Sequence, residues 1–183
     1  SLAAVAVGRE LELDLPTIKK GLQSFSGVHR RLEIKGTAER ITVVDDYGHH
    51  PTEIKETLAA ARQIWRGRRV VVFQPHRFSR TKALFDEFTR AFADADLLVV
   101  NDIYPASEEP ISGVNSAVLC AAIEKSGHPH VKYIAGAEET IDYLMKIVQP
   151  DDAVITLGAG SVYKTGETFL KLLAAREAKE HGW

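Results

Sequence analysis

RVVVFQPHRFSRT, residues 69–81, carries a full change of texture within one short stretch. Val70, Val71, Val72 and Phe73 follow one another without the polar alternation of a half-exposed strand. An unbroken apolar run of this kind fits a strand covered on both faces, as in a parallel sheet packed between helices. Gln74, Pro75, His76 and Arg77 then interrupt it. From Ser79 the spacing of Leu84, Phe85, Phe88 and Phe92 predicts one amphipathic helix over 79–93. The same unit recurs on either side. Downstream, DLLVVND at 96–102, VKYIA at 131–135 and DAVITLGAG at 152–160 read as strands, alternating with helices over 113–126, 137–148 and 162–179. Upstream, RLEIKG at 31–36 and ITVVDD at 41–46 read as two short strands joined by a tight turn. A helix over 51–65 follows, with Pro51 in its first turn and Thr57, Leu58, Ala61 and Ile64 facing inward. Strands separated by helices imply right-handed crossovers, and so a doubly wound, Rossmann-like α/β domain with a mainly parallel sheet of about six strands and flanking helices.

The first thirty residues have a different character. Residues 1–8, SLAAVAVG, open inside a helical pattern with only Ser1 as a cap, and Asp14 caps a second helix with Pro16 in its first turn and Gly27 at its end. GVHRR at 27–31 marks the boundary, which divides the chain into 1–30 and 31–183. The only methionine is Met145, so the chain is expected to be a piece of a longer protein. The 183 residues are 45% hydrophobic and 26% charged with a net charge of -2, a balance that gives no basic footprint for nucleic acid. No apolar run approaches the roughly 20 residues of a membrane span. The single Cys120 excludes an internal disulfide, reads as a buried thiol, and fits a reducing cytoplasm.

Ligands on such sheets bind beyond the carboxyl ends of the strands. The polar clusters stand at those ends: 45–50, DDYGHH; 74–77, QPHR; Asn101-Asp102; and 158–161, GAGS. In the first, Asp46 can accept from sugar hydroxyls and His49 or His50 can donate to an anion, or one Asp simply caps the following helix. Neighbouring histidines on a turn rarely reach one ion, which speaks against a metal there. In the second, His76, Arg77 and Arg80 stand at the start of the predicted helix, where backbone N–H groups favour an anion and guanidinium groups add bidentate donors. On that reading Arg77 and Arg80 share a helical face. GAGS lacks the lysine of a phosphate loop and the third glycine of a dinucleotide fingerprint, leaving a tight turn with free amides. Arg30 and Arg31 sit at the domain joint.

Taken in order, RRLE at 30–33, DYGHHPTE at 46–53, FQPHRFSRT at 73–81 and GAGS at 158–161 resemble the Mur ligases of bacterial cell-wall synthesis. The resemblance spans the whole chain. Within the family, Tyr47-Gly48 and Gln74-Pro75-His76-Arg77 are similar to the member that joins L-alanine to UDP-N-acetylmuramate. The relative that recycles murein tripeptide typically has Phe and Ala at 47 and 48 and an EPRS-like sequence at 74–77. The resemblance implies that 1–30 close a central ATPase domain and that 31–183 form the carboxy-terminal domain. It implies Arg31 on ATP phosphate, Asp46 with His49 on the nucleotide, and His49, His76, Arg77 and Arg80 around the amino-acid carboxylate. ATP and Mg2+ follow as cofactors, with the metal ligands and the phosphate loop on the missing amino-terminal and central domains, so the chain alone is expected to be inactive. A nucleotide-dependent oxidoreductase would need a glycine fingerprint after the first strand, and GTAER at 36–40 is none. A non-enzymatic binding module would leave the His and Arg clusters without a role.

Overall fold

A computed structural model describes residues 2–25, 27–180 and 182. Two helices come first, α1 (Leu2–Glu10) and α2 (Leu15–Ser24), and they pack against each other. Asp14 caps α2 as expected, accepting from the Thr17 N–H at 2.9 Å. The helix stops at Ser24 rather than at Gly27. Ser1, the other candidate cap, lies outside the described residues.

The rest is one sheet wrapped in helices: β1 (Glu33–Ala38), β2 (Ile41–Asp46), α3 (Pro51–Ile64), β3 (Arg69–Phe73), α4 (Phe78–Ala83), α5 (Phe85–Phe88), β4 (Leu97–Val100), α6 (Ser116–Lys125), β5 (Val131–Tyr133), α7 (Ala137–Ile147), β6 (Ala153–Leu157) and α8 (Val162–Glu180). The strand order is β1-β2-β6-β3-β4-β5. Only β1 is antiparallel to its neighbour, so the fold is the doubly wound one that the alternation of strands and helices predicts.

Alternate residues of the four central strands β2, β6, β3 and β4 feed two separate cores. Val44, Val71, Phe73, Leu98, Val100 and Ile155 meet Ile54 and Leu58 of α3, Phe88 of α5 and Leu119 of α6 on one face. Val43, Val70, Val72, Val99 and Val154 meet Leu144 of α7 and Phe169 and Leu173 of α8 on the other. Burial of both faces is why these strands read as unbroken apolar runs. Cys120 is buried and free.

Three further expectations are corrected. The helix over 79–93 is broken at Leu84 (φ -113°, ψ 25°) into α4 and the one-turn α5, and Phe92 is reached through turns closed from Ala91 to Phe88 and from Ala95 to Phe92. The chain tightens because it must enter β4 at Leu97 directly afterwards; the bulky face is kept, the helix is not. Ile64, expected inward, is 57% exposed. The predicted 113–126 helix starts only at Ser116, where the Asn115 side chain caps it by accepting from the Val118 N–H at 2.9 Å. No described helix is long and apolar enough to cross a membrane.

Candidate functional site

The strands β2, β6, β3 and β4 are parallel, so their carboxyl ends share one edge of the sheet. After β2 and β3 the chain turns to the α3–α6 face, and after β6 it turns to the α8 face. The turns beside β6 therefore diverge, and the crevice they leave is the switch point where such folds bind ligands. The approach is close. A side chain at Gly160 would meet Gln74 Oε1 at 2.5 Å and the Tyr104 ring at 2.7 Å. Gln74 Oε1 is buried there without a hydrogen-bond partner.

On the β2 side both aspartates are buried. Asp45 accepts from Arg30 Nε at 2.7 Å and from Thr156 Oγ1 at 2.6 Å. Asp46 accepts from the Leu32 N–H at 2.8 Å, the Gly48 N–H at 2.7 Å and Thr57 Oγ1 at 3.2 Å. A carboxylate offers roughly four lone-pair positions, so one remains open on Asp46 Oδ2. Gly48 fits this turn because a Cβ there would meet Asp46 Oδ1 at 2.8 Å.

Neither aspartate caps α3. His50 does, accepting from the Thr52 N–H at 3.3 Å, while Glu53 accepts from the N–H groups of His49 and His50. Burial works against a Glu53 carboxylate, but those two N–H groups, with His49 and Arg31, hold its pKa below the ordinary value. The neighbouring histidines thus separate in role. His49 turns to the crevice, its Nδ1–H donating to the Tyr47 carbonyl at 3.0 Å and its ring 5.8 Å from that of His76.

His76, Arg77 and Arg80 do gather after β3, but not as helical spacing predicts. The helix α4 has six residues and Arg77 precedes it at φ 75°, so the two arginines part company. Arg77 lies 3.8 Å from Glu108, whereas Arg80 folds back, with Nη1 on the His76 carbonyl at 3.0 Å and on His76 Nδ1 at 3.1 Å. A guanidinium only donates, so His76 Nδ1 is the acceptor and its proton sits on Nε2. Burial, then Arg80, His49 and Arg77, push the His76 pKa down despite Glu108. The ring stacks on Tyr104 with centroids 5.5 Å apart and a 14° interplanar angle. Backbone bonds from Arg77 N to Tyr104 O and from Tyr104 N to Pro75 O (both 2.8 Å) lock the two loops together.

Of the two arginines at the joint, Arg31 is half exposed, with Glu53 3.7 Å away. Arg30 is the more buried one, its side chain 13% exposed; sequence reasoning named it only together with Arg31 at the domain joint, and missed Tyr104 and Glu108 altogether. Tyr104 stands just past Asn101-Asp102, at the edge already singled out, so the strand-end rule could have found it. Nothing in the sequence told Arg30 from Arg31, since burial separates two adjacent arginines and composition does not. A cavity of about 780 Å³ lies at the opposite edge, between Arg68, Phe92, Asp96, His128 and His130. Arg68 is already spent there on Asp152 and the Ile147 carbonyl, and His128 on the Ala95 carbonyl. The carboxyl edge holds the convergent groups. Among the described residues no group of three or more His, Cys, Asp or Glu could hold a metal ion.

Residues 30–160 match the family described as Mur ligase, glutamate ligase domain. A UDP-N-acetylmuramate–L-alanine ligase of Syntrophus aciditrophicus is 58% identical over 173 residues, which cover 94% of this chain and 36% of that protein. The ligase of the same name from Desulforapulum autotrophicum is 57% identical over 175 residues, covering 95% and 38%. The chain therefore spans well under half the length of these curated relatives. Among solved structures, UDP-N-acetylmuramate-alanine ligase MurC from Thermotoga maritima is 26% identical, with a TM-score of 0.75 over 94% of this chain and 36% of that one. A murein peptide ligase from Psychrobacter arcticus, 23% identical with a TM-score of 0.65 over 86% and 32%, shares the fold.

Proposed function

Because the chain belongs to the Mur ligase family by its glutamate ligase domain, we propose that it is the carboxy-terminal part of an ATP-dependent ligase joining L-alanine to UDP-N-acetylmuramate in peptidoglycan synthesis. The observation that carries this reading is the meeting of His49, His76 and Arg80 in one crevice, with 5.8 Å between the two imidazoles and 3.1 Å between His76 and Arg80. Arg80 and the Nε2–H of His76 offer donors to a small carboxylate, with Arg77 at the rim. Their part is to orient the amine of the incoming amino acid rather than to move electrons.

The reaction takes two steps. The γ-phosphoryl group of ATP passes to the muramoyl carboxylate, giving an acyl phosphate and ADP; the alanine amine then attacks the acyl carbon, and phosphate leaves as the amide forms. Both steps depend on position and charge neutralisation. Arg31, exposed and only loosely paired, supplies positive charge to the phosphates, while the open position on Asp46 Oδ2 accepts from a nucleotide hydroxyl and His49 stands beside it. The Mg2+ ligands and the phosphate loop belong on the missing amino-terminal and central domains, and the work is cytoplasmic, where a lone free thiol is at home.

Residues 1–30 then close the central domain and 31–183 form the terminal one. Of the fourteen exposed large apolar side chains among the described residues, seven lie between Leu2 and Val28, a concentration that fits a segment covered by another domain. The second reading, a murein tripeptide ligase, is disfavoured at Gly48, where the alanine typical of that relative would press on Asp46 Oδ1. The test is the full-length enzyme with ATP, magnesium and UDP-N-acetylmuramate, offered L-alanine or the tripeptide. Amide formation with L-alanine is expected; formation with the tripeptide alone overturns the reading.

A further inference from the structure

Arg30, the first residue of RRLE, is tied to several separate parts of the site. Its guanidinium is 13% exposed, with Nε donating to Asp45 Oδ2 at 2.7 Å. Its Nη2 donates to the Gly158 carbonyl at 2.7 Å and Nη1 to the Gly160 carbonyl at 3.4 Å. The rings of Tyr47 and Tyr163 lie 5.0 and 4.6 Å from its centre. One side chain thus joins the end of β2, the turn that carries His49, the glycine turn after β6 and the start of α8. The planar fork and the stacking faces are features a lysine lacks.

Its backbone is equally constrained. Arg30 and Leu32 both have positive φ, 57° and 44°, so Arg31 is presented between two left-handed residues. Such conformations persist only when the surroundings enforce them. Here the Arg30 N–H donates to Glu33 Oε2 at 2.8 Å, the Leu32 N–H to Asp46 Oδ2 at 2.8 Å, and the Tyr47 N–H to the Arg30 carbonyl at 2.8 Å. Arg31 itself is held only loosely, with Glu53 3.7 Å away and the Tyr47 ring 5.8 Å from its centre.

We propose that Arg30 is a positioning residue: it fixes the turn that aims Arg31 at the reacting phosphates and holds the glycine turn after β6 in register with it. This rests on the role of Arg31 proposed above. Arg30 does not touch substrate, so its contribution passes through Arg31. In the full-length ligase, Arg30→Lys should lower kcat by about ten- to a hundredfold, the scale of a misplaced catalytic group, with the KM for L-alanine within a few-fold of wild type. The decisive reading is a double-mutant cycle. In an Arg31→Ala background, adding Arg30→Lys should change kcat less than twofold, because nothing is left to aim.

A general loss of packing predicts the opposite, since its effect multiplies with that of Arg31→Ala; multiplied losses overturn the proposal. Unchanged turnover in Arg31→Ala alone overturns the phosphate role of Arg31 and this proposal with it, whereas a low-turnover Arg31→Ala with multiplied losses sinks only the latter. Tyr163→Leu removes one stacking face and leaves the hydrogen bonds. Should Arg30→Lys not fold, this variant carries the same cycle: a smaller fall in kcat that vanishes beside Arg31→Ala supports the proposal, and one that persists overturns it.

Discussion

At the scale of single residues, the site separates groups that hold from groups that face the crevice, and the two kinds answer differently to substitution. Arg80 faces the crevice through His76. Its replacement in the full-length ligase by alanine should raise the KM for L-alanine ten- to a hundredfold, as expected for the loss of a charge-assisted bond of about 1.5–3 kcal/mol. The KM for ATP should stay within a few-fold, and equal losses for both would mark a closure defect instead. His76 gives a second, pH-dependent test. Burial first, then the neighbouring positive groups, hold its pKa below the ordinary value of 6.5. The unfolded chain therefore binds its proton at higher pH than the folded one, so stability is complete above about pH 6.5 and falls as pH drops from there towards the folded value. His128, also lowered chiefly by burial, acts in the same direction. Thermal midpoints between pH 5 and 7.5 should fall on acidification, and His76→Gln should remove part of that slope; an unaltered slope would mean that His76 titrates like a free imidazole. Asp46, His49, His76, Arg77 and Arg80 were all visible in the sequence as chemistry-bearing types at strand ends. What they bond to was not. The left-handed turn at Arg30 and the pairing of Arg77 with Glu108 depend on contacts between residues distant in the chain, and the backward fold of Arg80 onto His76, four residues away, depends on the break from helical geometry at Arg77.

At the scale of elements, the strands were legible because burial on both faces leaves an apolar signature that sequence alone retains. The hairpin β1–β2 and the cap at Asp14 were legible for local reasons of the same kind. The break at Leu84 was not, since Leu84, Phe85, Phe88 and Phe92 satisfy a helical face whether or not the helix is continuous. Nor was the cap of α3, where histidine takes the place usually held by Ser, Thr, Asp or Asn. That cap is the hinge between structure and site, because the same Glu53 that closes it also lies near Arg31 and His49. Glu53→Ala should cost about 0.5–2 kcal/mol of stability, the range measured for lost caps, and should be matched in size by His50→Ala. In the full-length enzyme the two should then diverge: Glu53→Ala also lowers turnover by freeing Arg31, while His50→Ala, remote from the crevice, leaves it near wild type. Equal turnover in both variants would confine Glu53 to capping.

At the scale of the whole molecule, the function proposed above has the terminal domain bring a carboxylate site and an arginine to a reaction whose phosphate loop lies elsewhere. Purified alone and supplied with ATP, magnesium and both substrates, the chain should release no phosphate above background, and release would place the phosphate-binding machinery within these residues. The helices α1 and α2 give the complementary test. They pack on each other, yet Leu2, Val7, Leu11, Leu13, Leu15, Phe25 and Val28 remain between 43% and 86% exposed. So many exposed apolar side chains on two short helices point to a place where another body sits. Both helical cores of the sheet, in contrast, are complete without them, since neither contains a residue from the first thirty. A chain beginning at Gly27 should therefore stay folded, with a thermal midpoint within about 4 °C of the longer one, the shift expected from roughly 1 kcal/mol in a domain of this size. It should also sediment as a monomer at concentrations where the longer chain self-associates through its uncovered face. If trimming instead unfolds the sheet, α1 and α2 belong to the terminal domain and the boundary at residues 27–31 is wrong. If both chains are equally monomeric and Leu11→Glu in the full-length ligase leaves its stability unchanged, the face is not an interface at all. A fall in full-length stability from that one substitution, with none in the isolated chain, would put residues 1–30 in the central domain.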